Sequence, residues 1–168
     1  SPVSQSFAKA KADGIHTCID TSGVTFNPRS EECVEKHSEL VKYTDLVMLD
    51  IKHIKSENHK ALTGMDNRNI LDFAKFLEEK NIPLWVRHII VKGYTDEPDD
   101  LIALGEFIGK LRNLKALDVL PYHTMGVNKY KELGIPYALE GVEALSVAEA
   151  VKAKEYILQG IRNVRVRI

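Results

Sequence analysis

Five charged or polar residues, each near the end of an apolar segment, carry the chemistry this sequence could do. Asp20 closes the run His-Thr-Cys-Ile-Asp and leads into Thr21-Ser22-Gly23. Asp50 and Lys52 lie near the end of DLVMLDIKHI, residues 45–54. Arg87 falls within the apolar run 82–91, and His123 follows Pro121-Tyr122. Two carboxylates, an ammonium, a guanidinium and an imidazole can together grip a small zwitterionic or phosphorylated ligand, if they meet. Each also has a plainer reading. Asp50 and Lys52 can be a structural ion pair, and Asp20 can be a turn residue before Thr-Ser-Gly. Arg87 can pair with a neighbouring acid for stability, and His123 can be a satisfied loop histidine. The functional reading therefore rests on convergence of all five at one place.

The elements that would bring them together alternate in kind. Residues 5–12 read as the tail of a helix ended by Gly14. Residues 15–20 read as a short strand. Asn27-Pro28 opens a helix to about residue 42. Residues 45–54 form a strongly apolar strand. Asn67 caps a helix over 69–80, with Ile70, Phe73, Ala74 and Leu77 on one face. A strand covers 82–91, stopped by Gly93. Asp96-Glu97-Pro98 opens a helix with acids at its positive end and a stripe of Leu101, Leu104, Gly105, Ile108 and Leu111. A fourth strand covers 116–123. A long loop, 124–142, precedes a helix capped by Ser146 that runs to about residue 159, and 164–168 reads as a short edge strand. Strands each followed by a helix or long loop imply parallel pairing, because parallel strands need crossovers.

In such a layout the sites gather at the C-terminal ends of the strands. Side chains alternate along a strand. In 45–54, Val47, Leu49 and Ile51 share a wholly apolar face that should pack on helices. Leu46, Met48, Asp50 and Lys52 share the other. His16, Cys18 and Asp20 share a face, as do Trp85, Arg87 and Ile89. The strand ends thus offer a polar ring over an apolar floor.

Composition excludes several classes. The 168 residues suffice for one domain with a real core. The net charge of -1 gives no overall basic bias toward nucleic acid or acidic lipid. No apolar run reaches the roughly 18 residues of a membrane helix, and the N-terminus lacks the pattern of a secretory signal. The expectation is a cytoplasmic protein. Cys18 and Cys33 form neither a disulfide framework nor a spaced metal motif. Cys18 reads as a small buried hydrophobe and Cys33 as structural within a helix. His16, His37, His53, His59 and His88 lack ligand spacing such as H-E-x-x-H.

Five runs together resemble one family: HTCIDTSG from residue 16, DLVMLDIKH from 45, NILDFAKFL from 69, WVRHIIVKGYTD from 85 and LPYHTMG from 120. As an ordered set they resemble the pyruvate formate-lyase activating enzymes of the radical S-adenosylmethionine superfamily. The resemblance covers nearly the whole chain, from Ala8 to the last helix. It implies an α/β fold, an incomplete parallel (β/α)6 barrel of TIM-like type with about four βα units present. Residues 1–168 would then be the C-terminal part of one radical SAM partial-barrel domain. The resemblance further implies S-adenosylmethionine bound over a [4Fe–4S] cluster, whose electron releases a 5′-deoxyadenosyl radical that takes hydrogen from a glycine of a partner enzyme. By match, Asp20, Lys52 and His123 would contact the methionyl and ribose parts of S-adenosylmethionine, with Arg87 near cofactor or substrate peptide. Asp20, Thr21, the Met48 carbonyl and Asp50 would match a monovalent-cation site, where hard oxygen ligands suit a hard cation. The implied partners are pyruvate formate-lyase, through its glycyl radical domain, and an electron donor such as flavodoxin or ferredoxin.

The sequence departs from the family in two places. It contains no C-x3-C-x2-C motif for the cluster, and no Gly-Gly-Glu segment. The opening helix matches the one after the family's second strand, so two βα units of about 30 or more residues each would lie upstream. The expectation is a piece of a longer enzyme, inactive alone and holding no cluster ligands. Its first strand would be an open sheet edge and its inner face bare, inviting self-association. Three alternatives stand beside this reading. They are an activase for a different glycyl-radical enzyme, a barrel enzyme using Lys52 as a Schiff-base nucleophile, and a non-catalytic α/β binding domain.

Overall fold

The computed structural model describes residues 1–165. In chain order the elements are α1 (Pro2–Ala12), β1 (Cys18–Thr21), α2 (Glu31–Val41), β2 (Leu46–Asp50), α3 (Ser56–Thr63) and α4 (Arg68–Glu79). They continue with β3 (Leu84–Ile90), α5 (Pro98–Gly109), β4 (Leu114–Pro121), α6 (Val127–Glu132) and α7 (Val147–Arg165). The four strands form one sheet in the order β1-β2-β3-β4, and every pair is parallel. Helices make each crossover, as parallel pairing requires. Among the described residues no helix is long and apolar enough to cross a membrane.

The core lies between one face of the sheet and the helices. Val47, Leu49 and Ile51 are fully buried, and Leu84, Val86 and Ile90 continue the layer. Ile70, Phe73, Ala74 and Leu77 of α4 cover one part, and Leu101, Leu104 and Ile108 of α5 another. Both stripes are those expected from the 3.6-residue period. The opposite face of the sheet is open: Trp85 is 41% and Leu120 37% exposed. Cys18 lies on this open face and is exposed, which corrects its reading as a buried hydrophobe. Its parity places it beside Asp20, on the uncovered side.

Several boundaries differ from the expectation, each for a local reason. α2 begins at Glu31 because Ser30, not Asn27, supplies the cap, accepting from Cys33 N. Asn27 instead accepts from Arg29 N in a tight turn around Pro28. α3 and α6 went unforeseen; they have eight and six residues, too short for a periodic pattern to declare itself. Asn67 stands at the cap of α4 without capping it; its amide serves the turn after β2. Ser146 and Glu149 form the reciprocal capping box at the start of α7. α7 continues through Gly160 to Arg165, so Val164 and Arg165 are helical rather than the start of an edge strand. Residues 166–168 of that expected strand lie outside the described residues.

Candidate functional site

β1, β2 and β3 set the site through their register. Asp20 pairs with Met48, Met48 with Trp85, and Asp50 with Arg87. Partners in a parallel ladder point to the same side, so these side chains all stand on the open face. Arg87 then reaches across β2. Its Nε donates to Asp50 Oδ1 at 2.6 Å, and Nη2 and Nη1 donate to Asp20 Oδ1 and Oδ2 at 2.8 and 3.2 Å. Lys52 Nζ donates to Asp50 Oδ2 at 2.8 Å. The result is a continuous ion-pair chain, Asp20–Arg87–Asp50–Lys52, drawn from three strand ends.

The sequence expectation of convergence therefore holds for four residues. The two plainer readings of paired charges describe the same contacts: Asp50 pairs with Lys52, and Arg87 with neighbouring acids. The chain grades toward solvent, with side chains 15% exposed at Asp50, 24% at Arg87, 32% at Lys52 and 55% at Asp20. Burial pushes the Asp50 carboxyl upward, but hydrogen bonds from Arg87 and Lys52 outweigh it and hold the group below its ordinary value. The Arg87 guanidinium is raised, chiefly by its bond to Asp50.

His123 lies two residues beyond β4 and is exposed. Among the described residues it makes no hydrogen bond or ion pair with the other four. Thr21 Oγ1 accepts from Gly23 N at 3.0 Å, shaping the Thr-Ser-Gly turn. Asp118, not singled out from the sequence, pairs in register with Arg87 and is exposed on the same face. The alternation within 116–123 was the signal that could have found it.

Beside Lys52 opens a cleft of about 340 Å³. Ile89, Tyr122, Tyr130, Tyr137 and Leu139 line it with Lys52. Tyr122 and Tyr137 join hydroxyls at 2.9 Å. Burial, then that bond, pushes the Tyr137 phenol up to about 12, so it is neutral at pH 7. A larger groove of about 500 Å³ lies between the 24–29 loop and α3 and α4, but it includes none of the ion-pair residues. The small cleft, a charged rim beside an aromatic wall, is the better match to a ligand with an ionic end and a flat apolar body.

Behind the site lies His88, 2% exposed on the helix-facing side of β3. Burial pushes its imidazole below the ordinary value. The unfolded chain therefore takes up a proton more readily than the folded one. Stability is full above about pH 6.5 and falls as pH drops toward the lowered folded value, by up to about 1.4 kcal/mol per pH unit. Urea unfolding at pH 5.5 and pH 7.5 should show this loss. His88→Gln, which keeps a donor but cannot titrate there, should flatten it; an unchanged slope would assign the loss to other groups.

The sequence model of the "Radical SAM superfamily" matches residues 3–105. The chain belongs to that superfamily. Among curated proteins, this radical SAM chain is 51% identical over 148 residues to pyruvate formate-lyase-activating enzymes of Staphylococcus aureus, strains USA300 and N315 among them. The match covers 88% of the chain and spans 58% of the length of those relatives. In structure, the radical SAM chain is similar to a crystal structure of a domain of pyruvate-formate lyase-activating enzyme from Bacteroides vulgatus ATCC 8482. That likeness has a TM-score of 0.71 at 18% identity, covering 94% of this chain and 84% of the other, and it fixes the fold. Its parallel four-stranded sheet is thus part of a radical SAM barrel.

The superfamily implies a [4Fe–4S] cluster, and the donors of this chain do not fit one. Cys18 stands on the open sheet face, while Cys33 Sγ accepts from Asn27 N at 3.2 Å in α2. Among the described residues no three His, Cys, Asp or Glu side chains group to hold a metal. For S-adenosylmethionine the fit is better: paired charges of both signs stand beside a neutral aromatic cleft.

Proposed function

We propose that this chain is the S-adenosylmethionine-gripping part of a glycyl-radical-enzyme activase acting on pyruvate formate-lyase. The observation that carries the reading is the Asp20–Arg87–Asp50–Lys52 chain at three strand ends, opening onto an aromatic cleft. The names of the Staphylococcus aureus relatives support the choice of client. When bound in the whole enzyme, S-adenosylmethionine and its cluster would supply the radical chemistry directed at a glycine of the client.

The residues of this chain bind and orient. Lys52 presents its ammonium to the ligand's carboxylate, held in place by Asp50. Asp20 and His123 take the methionyl and ribose hydrogen-bonding groups. Arg87 holds the two acids in register and lies near the cofactor or the client peptide. Asp20, Thr21, the Met48 carbonyl and Asp50 offer oxygens to a monovalent cation; binding it would require the two acids to exchange Arg87 for the ion. Flavodoxin or ferredoxin as electron donor, a cytoplasmic location, and self-association through the β1 edge complete the reading.

The test is Lys52→Ala in the parent enzyme, reconstituted anaerobically. Equilibrium dialysis should give an S-adenosylmethionine Kd at least about tenfold higher than wild type, the loss of one charge-assisted contact. Glycyl-radical formation on pyruvate formate-lyase, read by electron paramagnetic resonance, should fall with it. Unchanged affinity would overturn the placement of the ligand at this rim.

A further inference from the structure

Lys52 occupies irregular backbone: β2 ends at Asp50 and α3 begins at Ser56. Backbone carbonyls there lack a ladder and need other partners. Buried side chains from two distant elements supply three. His88 of β3 donates from Nδ1 to Ile51 O at 2.6 Å. Asn67, before α4, donates from Nδ2 to His53 O and Ile54 O at 2.9 and 2.7 Å.

A third element grips the turn through a side chain. His53 is 2% exposed. Its Nδ1 accepts from Lys55 N–H at 3.0 Å, so the neutral ring carries its hydrogen on Nε2. Nε2 lies 3.4 Å from Asp100 Oδ2, and Lys55 Nζ lies 2.6 Å from Asp100 Oδ1. Asp100 sits in the first turn of α5 and is 6% exposed. One carboxylate thus lies against both ends of the 53–55 turn, and Asn58 Nδ2 lies 3.3 Å from the same His53 nitrogen. An acid in the first turn of a helix is ordinary, since the helix dipole favours it. A buried one, set against the residue beside Lys52 and paired with Lys55, exceeds what that dipole requires, because burying a carboxylate is costly.

We infer that Asp100, acting through His53, is a positioning residue that fixes the direction from which Lys52 meets its ligand. With the turn clamped, the Lys52 ammonium stays beside Asp50 and at the mouth of the aromatic cleft. With the clamp released, the side chain keeps its charge but samples other directions, and the ordering cost falls on ligand binding. This inference rests on the S-adenosylmethionine reading of the site.

The experiment is a double-mutant cycle on S-adenosylmethionine affinity in the reconstituted parent enzyme, using Asp100→Ala, Lys52→Ala and the pair. Asp100→Ala should raise Kd about tenfold, and the pair should bind no more weakly than Lys52→Ala alone, the non-additivity of a shared route. Asp100→Asn keeps an oxygen for the His53 Nε2–H and should return Kd to within about twofold of wild type. Should Asp100→Ala fail to fold, His53→Ala removes the same link and takes its place in the cycle. Additive losses, or a normal Kd in the clamp variants while Lys52→Ala binds weakly, would overturn the positioning role and leave the site reading standing. A normal Kd in Lys52→Ala would overturn both.

Discussion

Gly105→Ala and Gly160→Ala are each expected to destabilise the protein severely or to prevent folding. α5 and α7 cross at these two residues with nothing between their backbones. A methyl on Gly105 would lie 2.0 Å from Ile157 O and 2.9 Å from Gly160 Cα. A methyl on Gly160 would lie 2.1 Å from Ile102 O and 2.8 Å from Glu106 N. These are backbone atoms, which cannot swing aside as a side-chain tip can. The helices must part, and the packing of Leu104, Ile108, Ala153 and Ile157 loosens with them. Two effects oppose each other. Alanine is a better helix former than glycine by about 1 kcal/mol. Overpacking a rigid contact costs roughly 3 kcal/mol or more. The steric term wins, for a net loss of at least about 2 kcal/mol, or some 4–8 °C of melting temperature for a domain this size. Gly126→Ala is the control: no atom lies within 4 Å of the added methyl, so a change within about 0.5 kcal/mol is expected. Thermal unfolding of the three variants decides the matter, and a wild-type melting point for Gly105→Ala would refute the tight crossing.

The same contact explains one limit of reading this fold from sequence. Gly160 looks like a helix stop, and the last helix was expected to end just before it. In α7 the glycine is a point of close approach, information that resides in α5 rather than in the neighbouring sequence. The strands and the stripes of α4 and α5 were legible because each repeats its apolar positions at a period the backbone sets. α3 has only two turns and mostly polar surface, so no period could emerge. The site divides along the same line. Asp20, Asp50, Lys52 and Arg87 were legible because strand parity and parallel pairing suffice to align them. The link from Asp100 to His53 was not, because it depends on how the start of α5 docks on the turn after β2. Cys18 was misread for a related reason: parity gave its face correctly, and only the three-dimensional arrangement says that this face is uncovered.

Asp50→Ala should have the largest effect among the ion-pair residues, because Asp50 is the most buried of the four, 15% exposed, and is bound on both sides. Its two oxygens serve different cations, Arg87 Nε at 2.6 Å and Lys52 Nζ at 2.8 Å. Removing it leaves two positive groups side by side. Arg87 retains Asp20, but Lys52 loses its only ion pair among the described residues. Breaking a fully buried pair costs about 3–5 kcal/mol, and here partial exposure of both cations lets water recover some of that, so about 2–3 kcal/mol is expected. The acid limb of stability should change as well. The Asp50 carboxyl is lowered in the folded protein, so its contribution is complete above about pH 3.9 and disappears as pH falls through the folded value. Asp50→Ala should therefore be less stable than wild type at pH 7, with the gap closing as pH falls below about 3.9. If the proposed S-adenosylmethionine site stands, affinity in the parent enzyme should drop by more than with Lys52→Ala, since the variant both frees Lys52 and disturbs Arg87. Equal stability of the two proteins across that pH range would mean that solvent, not Asp50, neutralises the two cations, and the strand ends would then hold separate charges rather than one connected grip.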